Sequence, residues 1–340
     1  MDTRSTLSIW PNCFRSAGLL SLGASLLVLC GCTRIQVRMG WKVYLDRTPV
    51  NSIEARLPNG PGIAPGQKSP LVVAVTQPDG KVLLTEGKGG GKVMWKELQV
   101  TGSVVSVNQK GIITLAKDPR VSDGKTGHIT VTVPSHPDLR ADLDIPFRYD
   151  IRYVSNFSGA NGTNGMDGTD GISGTDGSSG SMDPNNPSPG GNGSDGGNGS
   201  DGSNGGDGGD APPVQVRMTV QPGSHPLLQV SVSAAGKQRL YLVDPQGGSL
   251  TVLADGGAGG NAGKGGRGGR GGSGGLGSPS GSSGSNGSDG HDGMSGSDGR
   301  GGLITVTYDP QAKPFLQTVH LSSKNGPAPV LKEEAVPLLW

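Results

Sequence analysis

The sequence predicts an all-β protein of two small sandwiches, the second carrying a bundle of extended, glycine-rich rods inserted into it. Three observations predict this. Short alternating or β-branched apolar stretches recur between turn signals, and no helical period is sustained. Glycine accounts for 63 of the 340 residues, while aromatics make up 4% and hydrophobics 32%, a composition no ordinary globular core requires. The glycines are also ordered: through 159–210 and 256–302 they return at every third position. The net charge of +1 gives no pull towards nucleic acid or an anionic surface, and no nucleic-acid partner is expected.

The N-terminus carries Arg4 and Arg15, then the apolar stretch AGLLSLGASLLVL from Ala17 to Leu29. That stretch has the length of a signal-peptide core and is too short to span a bilayer. Leu29-Cys30-Gly31-Cys32 follows. It resembles the lipobox of bacterial lipoproteins, in which a small residue and Gly precede the Cys that is lipidated after cleavage. Cys32 fits, preceded by Gly31; Cys30, preceded by Leu29, does not. The resemblance implies a signal peptide over 1–31 and a membrane anchor on Cys32. With Thr33 rather than Asp after it, it also implies the outer membrane of a Gram-negative cell envelope. All three cysteines, Cys13, Cys30 and Cys32, lie here, so no disulfide is expected in the mature chain. Cleavage removes Arg4, Arg15 and Asp2, which brings the net charge to zero.

Residues 33–156 read as short strands: RIQVRMGWKVYL, PLVVAVT, KVLLT, KVMWKELQV, GIITLA, HITVTV and ADLDIPFRYDIRY, with QPDGK, NQKG and SDGKTG as turns. Spacing of this kind fits a sandwich. IAPGQKSPLVVAVTQPDGK and SVNQKGIITLAKDP resemble bacterial immunoglobulin-like domains, which implies an immunoglobulin-like β-sandwich here. A second β domain is split, with VQVRMTV, LLQVSVSA, QRLYLVD and SLTVLAD in 214–255 and LITVTYD and FLQTVHLS in 303–340. The apolar tail PAPVLKEEAVPLLW is expected to dock onto it, or else to meet a partner.

The glycine blocks form four runs of similar length, broken by SMDPNNPSP and SPSGSSGS. A polyproline-II-type helix has three residues per turn and rises about 3.1 Å per residue, so eight triplets span roughly 70 Å. Each run then has three faces, one all glycine. Run one also has a face from Ala160 to Ser178 that includes Met166 and Ile172, and a polar face that includes Asp167 and Asp170. Run four repeats this scheme, with Asn286, Asp289, Asp292 and Asp298. Run two has a second face of Gly and Ser, and a third of Asn192, Asp195, Asn198, Asp201, Asn204, Asp207 and Asp210. Run three has two nearly bare faces and a third with Asn261, Lys264, Arg267 and Arg270. Rods with two small faces suit the inside of a bundle, so runs two and three are expected inside and runs one and four outside.

Such a helix makes no internal hydrogen bonds, so its N–H and C=O groups must pair with a neighbour or with water. The runs resemble springtail glycine-rich antifreeze proteins and the collagen-like repeats of bacterial surface proteins. Three readings follow: a polyglycine-II bundle within one chain, a collagen-like trimer, or disorder. Near-absence of proline counts against the trimer and favours the monomeric bundle. The entropy of ordering glycine against about 0.5–1.5 kcal/mol per hydrogen bond makes the bundle marginal unless flanking domains hold its ends.

Function follows from what is present. The Asn192–Asp210 row is the candidate ligand face, for Ca²⁺ or a glycan, although the pattern is not the calcium β-roll nonapeptide and one face converges too few oxygens for Ca²⁺. Lys264, Arg267 and Arg270 form a basic face that would meet an acidic rod or a polyanion. An ice-binding surface needs a flat, weakly charged face; the Thr-rich row of run one approaches this, but Met166 and Ile172 interrupt it. Gly87-Lys88-Gly89-Gly90-Gly91-Lys92 lacks the Ser/Thr and the strand–helix setting of a phosphate loop, and a hairpin loop is expected. His128, His136, His225, His291 and His320 have no metal-ligand spacing, and no nucleophile elbow occurs. The sequence therefore reads as a non-enzymatic envelope lipoprotein without cofactor, a structural or adhesive module facing a surface protein or polysaccharide. A ligand binder and a trimeric stalk are the alternatives.

Overall fold

The computed structural model describes residues 33–340; the signal peptide over 1–31 and Cys32 lie outside the described residues. The chain is mostly β. It divides into two compact units: residues up to Lys117 with Gly124–Phe147, and Asp118–Asp123 with Arg148–Trp340.

Among the described residues the first unit has nine strands: β1 (Ser52–Arg56), β2 (Lys68–Pro70), β3 (Val72–Thr76), β4 (Val82–Leu84), β5 (Gln99–Ser103), β6 (Val105–Val107), β7 (Ile112–Leu115), β8 (Gly127–Val133) and β9 (His136–Ile145). They form three antiparallel sheets ordered β1-β3-β4, β2-β7-β6 and β5-β8-β9. Alternation sends every second side chain inward. Ile129, Val131 and Val133 of β8 thus join Val73, Val75, Ile113 and Leu115 in one core. The expected turns carry the expected chemistry. Asn108 Oδ1 accepts from the Lys110 and Ile112 amides at 2.9 Å, and Gly80 and Gly111 take positive φ.

Two stretches differ from the strands their alternation predicts. Residues 34–45 open as a short helix, α1 (Thr33–Arg38). Gly40, at φ +72°, supplies the left-handed residue that ends such a turn, and the Trp41 amide returns to the Gln36 carbonyl at 2.8 Å. Within KVMWKELQV a 3-10 turn covers Trp95–Glu97. The Trp95 ring occupies the place a side chain on Gly111 would fill, and Glu86 accepts from the Trp95 amide at 3.1 Å.

The second unit contains β10 (Arg152–Asn156), β11 (Val214–Gln221), β12 (Leu227–Ala234), β13 (Lys237–Val243), β14 (Ser249–Leu253), β15 (Ile304–Tyr308), β16 (Val319–Ser322) and β17 (Val330–Glu333). One sheet runs β13-β12-β11-β15-β17 and the other β10-β14-β16; both feed one core that includes Val216, Val230, Leu250, Val252, Ile304 and Phe157. The segment Arg152–Asn156, expected with the first domain, instead pairs in parallel with β14, and the first unit ends at Phe147. FLQTVHLS is strand only from Val319, because Asp309 caps and Pro310 opens a 3-10 segment through Thr318. The C-terminal tail docks within this unit. β17 pairs with β15, the Leu339 amide donates to Gln229 Oε1 at 2.8 Å, and Trp340 Nε1 donates to Asp123 at 2.7 Å.

β10 leads into the first glycine run and β11 follows the second; β14 leads into the third and β15 follows the fourth. The two parallel pairs, β10 with β14 and β11 with β15, therefore hold all four ends of the glycine segments.

Candidate functional site

We call the segments rod 1 (residues 159–180), rod 2 (190–210), rod 3 (256–275) and rod 4 (281–302). None is helix or ladder strand, and their backbone hydrogen bonds run between rods. Glycine amides of rod 1 donate to rod 3, as Gly168 does to the Lys264 carbonyl at 2.7 Å. Rod 2 donates to rod 1 through one face (Ser200 to Thr169, 2.9 Å) and to rod 4 through its glycine face (Gly199 to Ser288, 2.9 Å). Rod 3 donates to rod 2 (Gly266 to Ser200, 2.9 Å), and rod 4 to rod 3 (Gly290 to Gly266, 2.8 Å). Each series repeats every third residue along the rods. Rods 2 and 3 each bond to three others, and rods 1 and 4 to two.

Glycine is required at these contacts. A Cβ at Gly266 would overlap the Thr169 carbonyl, and one at Gly168 would come within 2.8 Å of the Gly266 amide nitrogen. The register comes from the sheets. The same offset of 97 residues separates Arg152 from its β14 partner Ser249 and Asn161 from Ala258, whose amide donates to Asn161 Oδ1. An offset of 90 relates Val214 to Ile304 in the β11–β15 pair and Asp210 to Arg300 in the rods.

The candidate ligand face has an internal partner. Asn192, Asp195, Asn198, Asp201, Asn204, Asp207 and Asp210 each accept, through Oδ1, from an amide of rod 4 running from Ser282 to Arg300, at 2.6–2.9 Å. Rod 1 does the same for rod 3 through Asn161, Asn164, Asp167, Asp170 and Asp176. Rod 4 serves the other side of rod 3 through Asn286, Asp289, Asp292 and Asp298. Rod 3 has no Asn/Asp row of its own, and it is the rod that receives two. Its amides are thereby paired on all three faces, with gaps where Ser replaces Asn or Asp. Ser173 and Ser295 stand opposite Arg270 and Ala262, whose amides have no acceptor among the described residues. A Ser side chain is one atom shorter, and even Ser283 reaches Gly274 only at 3.3 Å. Ser295→Asn is therefore expected to slow exchange of the Ala262 amide and to raise stability by about 0.5–1 kcal/mol, read by NMR and by thermal unfolding.

Sequence reasoning missed this acceptor role. The signal was present: Asn or Asp stands immediately before Gly, triplet after triplet, in the three rods that surround rod 3 and hardly at all in rod 3 itself.

The basic face lies beside the rod 1 ladder. The amides of Lys264 and Arg267 donate to Asp167 and Asp170 at 2.8 Å, while the side chains of Lys264, Arg267 and Arg270 are exposed. Elsewhere, the 87–92 glycine stretch is a 3-10 turn over Gly87–Gly89, with no long helix after it that could cradle a phosphate. A titrating cluster sits on the exposed face of β8 and β9. His128 lies 2.7 Å from Asp144 and 3.1 Å from Asp142. The Asp144 hydrogen bond, helped by Asp142, holds the imidazole pKa above its usual value. The bonds from Arg140 and then Thr130 hold Asp142 well below the usual carboxylate range. Burial pushes the Tyr153 phenol up, and its hydroxyl has no partner among the described residues. Among the described residues no group of three or more His, Cys, Asp or Glu is placed to hold a metal ion, and no helix is long and apolar enough to cross a membrane.

Comparison with protein-family models and with curated protein sequences gave no match.

Proposed function

We propose that the chain is a non-enzymatic cell-envelope lipoprotein, anchored through Cys32 in the outer membrane, in which an immunoglobulin-like sandwich and a second sandwich carry a polyglycine-II bundle as a structural or adhesive surface module. The observation that carries this reading is how the polar groups of the bundle are used. The Asn192–Asp210 row turns one oxygen of every side chain inward to hold rod 4, as a scaffold would. Hydrogen bonds that link all four rods of one chain favour the folded monomer over a collagen-like trimeric stalk. Asp195, Asp201 and Asp207 each keep a second oxygen free for a cation or glycan hydroxyl, recurring on that face at steps of about 9.3 Å. The ligand-binding alternative rests on that, and a Ca²⁺ titration that raises the melting temperature would favour it.

The anchor is tested in cells expressing the full chain fed a labelled fatty acid. The parent is expected to take up label and sediment with outer membranes, and Cys32→Ala to do neither. An unlabelled parent chain would overturn the lipoprotein reading.

A further inference from the structure

The side of the bundle made by rods 1 and 2 differs from its other sides. There the second row of rod 1 lies against the Gly/Ser row of rod 2: Ser200 and Ser194 hydroxyls accept from the Thr169 and Thr175 amides at 2.8 Å. No residue in either row is charged, whereas every other side carries Asp, Lys, Arg or His. Met166 and Ile172 stand out of this row with 80% and 84% of their surface exposed.

The order of residues along the row is symmetric. Outward from Thr169 come Met166 and Ile172, then Thr163 and Thr175, then Ala160 and Ser178. The pattern is small, Thr, large, Thr, large, Thr, small, and it reads alike in both directions. A twofold axis through Thr169, perpendicular to the rods, would place Met166 of one copy against Ile172 of the other and Thr163 against Thr175. Isologous pairing requires a patch that is complementary to itself under such a rotation. From Ala160 to Ser178 the row runs about 56 Å at 3.1 Å per residue. Two rods about 10 Å wide give roughly 560 Å² per copy, or about 1,100 Å² in total, just above the ~1,000 Å² at which a specific interface becomes credible. The absence of charge removes the repulsion that would oppose pairing like with like.

We propose that this face is a docking surface for a second copy of the chain, which pairs antiparallel about an axis at Thr169 once each bundle has folded on its own. The closed twofold stops at two copies and differs from a three-stranded stalk, in which the rods would come from different chains.

The chain has cysteines only at positions 13, 30 and 32, so a cysteine in the rods reports on this contact. The full chain carrying Thr169→Cys, oxidised on the cells that express it, is expected to give a disulfide-linked species of twice the chain mass that the parent does not give. Thr163→Cys alone is expected to give none, because the axis holds its two copies far apart, whereas Thr163→Cys with Thr175→Cys restores it. No cross-link at Thr169, or equal cross-linking from Thr163 alone, would overturn the proposal. Should the cysteine variants fail to accumulate, sedimentation of the detergent-solubilised full chain decides. Ile172→Lys with Met166→Lys is expected to weaken dimerisation tenfold or more, while Met294→Lys on another side leaves it unchanged. An unaltered mass distribution in the double variant would sink the idea.

Discussion

Gly266→Ala is expected to melt the centre of the bundle, while Lys264→Ala two residues away leaves it intact. In an unconstrained segment Gly→Ala stabilises by about 0.4–1 kcal/mol, because the unfolded chain loses freedom. At Gly266 the sign reverses. The added methyl would overlap the Thr169 carbonyl and lie 3.0 Å from the Asp170 amide nitrogen, and both are backbone atoms that cannot swing aside. Overpacking of this kind costs about 1–3 kcal/mol. Pushing rod 1 away also breaks the bonds from Gly168 to Lys264 and from Lys264 to Asp167, each contributing about 0.5–1.5 kcal/mol. Denaturant unfolding followed by circular dichroism should show a loss of several kcal/mol for Gly266→Ala and a change within about 0.5 kcal/mol for the exposed Lys264→Ala.

A single residue inserted between Gly265 and Gly266 is expected to do more damage than three. At three residues per turn, one extra residue rotates everything after it by a third of a turn. Rod 3 would then offer Arg267 and Arg270 to slots that only glycine fits, and an unpaired guanidinium would be buried. Inserting Gly-Arg-Gly instead keeps glycine and arginine on their own faces and displaces only the tip, by about 9.3 Å. The one-residue insertion should abolish amide protection in all four rods. The triplet insertion should keep it from the sheet-anchored end up to the insertion point.

Much of this was legible in the sequence. The third-residue glycines and the contrast between bare and decorated faces placed rods 2 and 3 inside, and the hydrogen-bond series agrees. Alternation in HITVTV marks a strand whose burial alternates in the same way, and in VQVRMTV the burial alternates as far as Met218. The failures have specific causes. Residues 34–45 alternate like a strand, yet local bonds closing at Gly40 take the first half into a helix, and the second half makes an isolated bridge from Val43 to Val93. Arg152–Asn156 ends the stretch taken for the first domain, and its parallel partner β14 is 97 residues away, a pairing no local pattern encodes. In the sequence the Asn192–Asp210 row is an outward-facing candidate ligand face, because the amides it meets belong to another rod. Only the packed arrangement supplies the amides that Asp201 and Asp170 accept from, those of His291 and Arg267.

The central claim is that four rods of one chain pair with one another and that rod 3 is held on all three sides. Amide hydrogen exchange resolved by residue in rod 3 tests it most directly. Gly260, Gly263 and Gly266, together with Lys264, Arg267, Gly265 and Gly268, are predicted to exchange slowly, with fast exchange confined to Ala262 and Arg270 in their midst. Uniformly fast exchange through 256–275, with no period and no such gaps, would contradict the account.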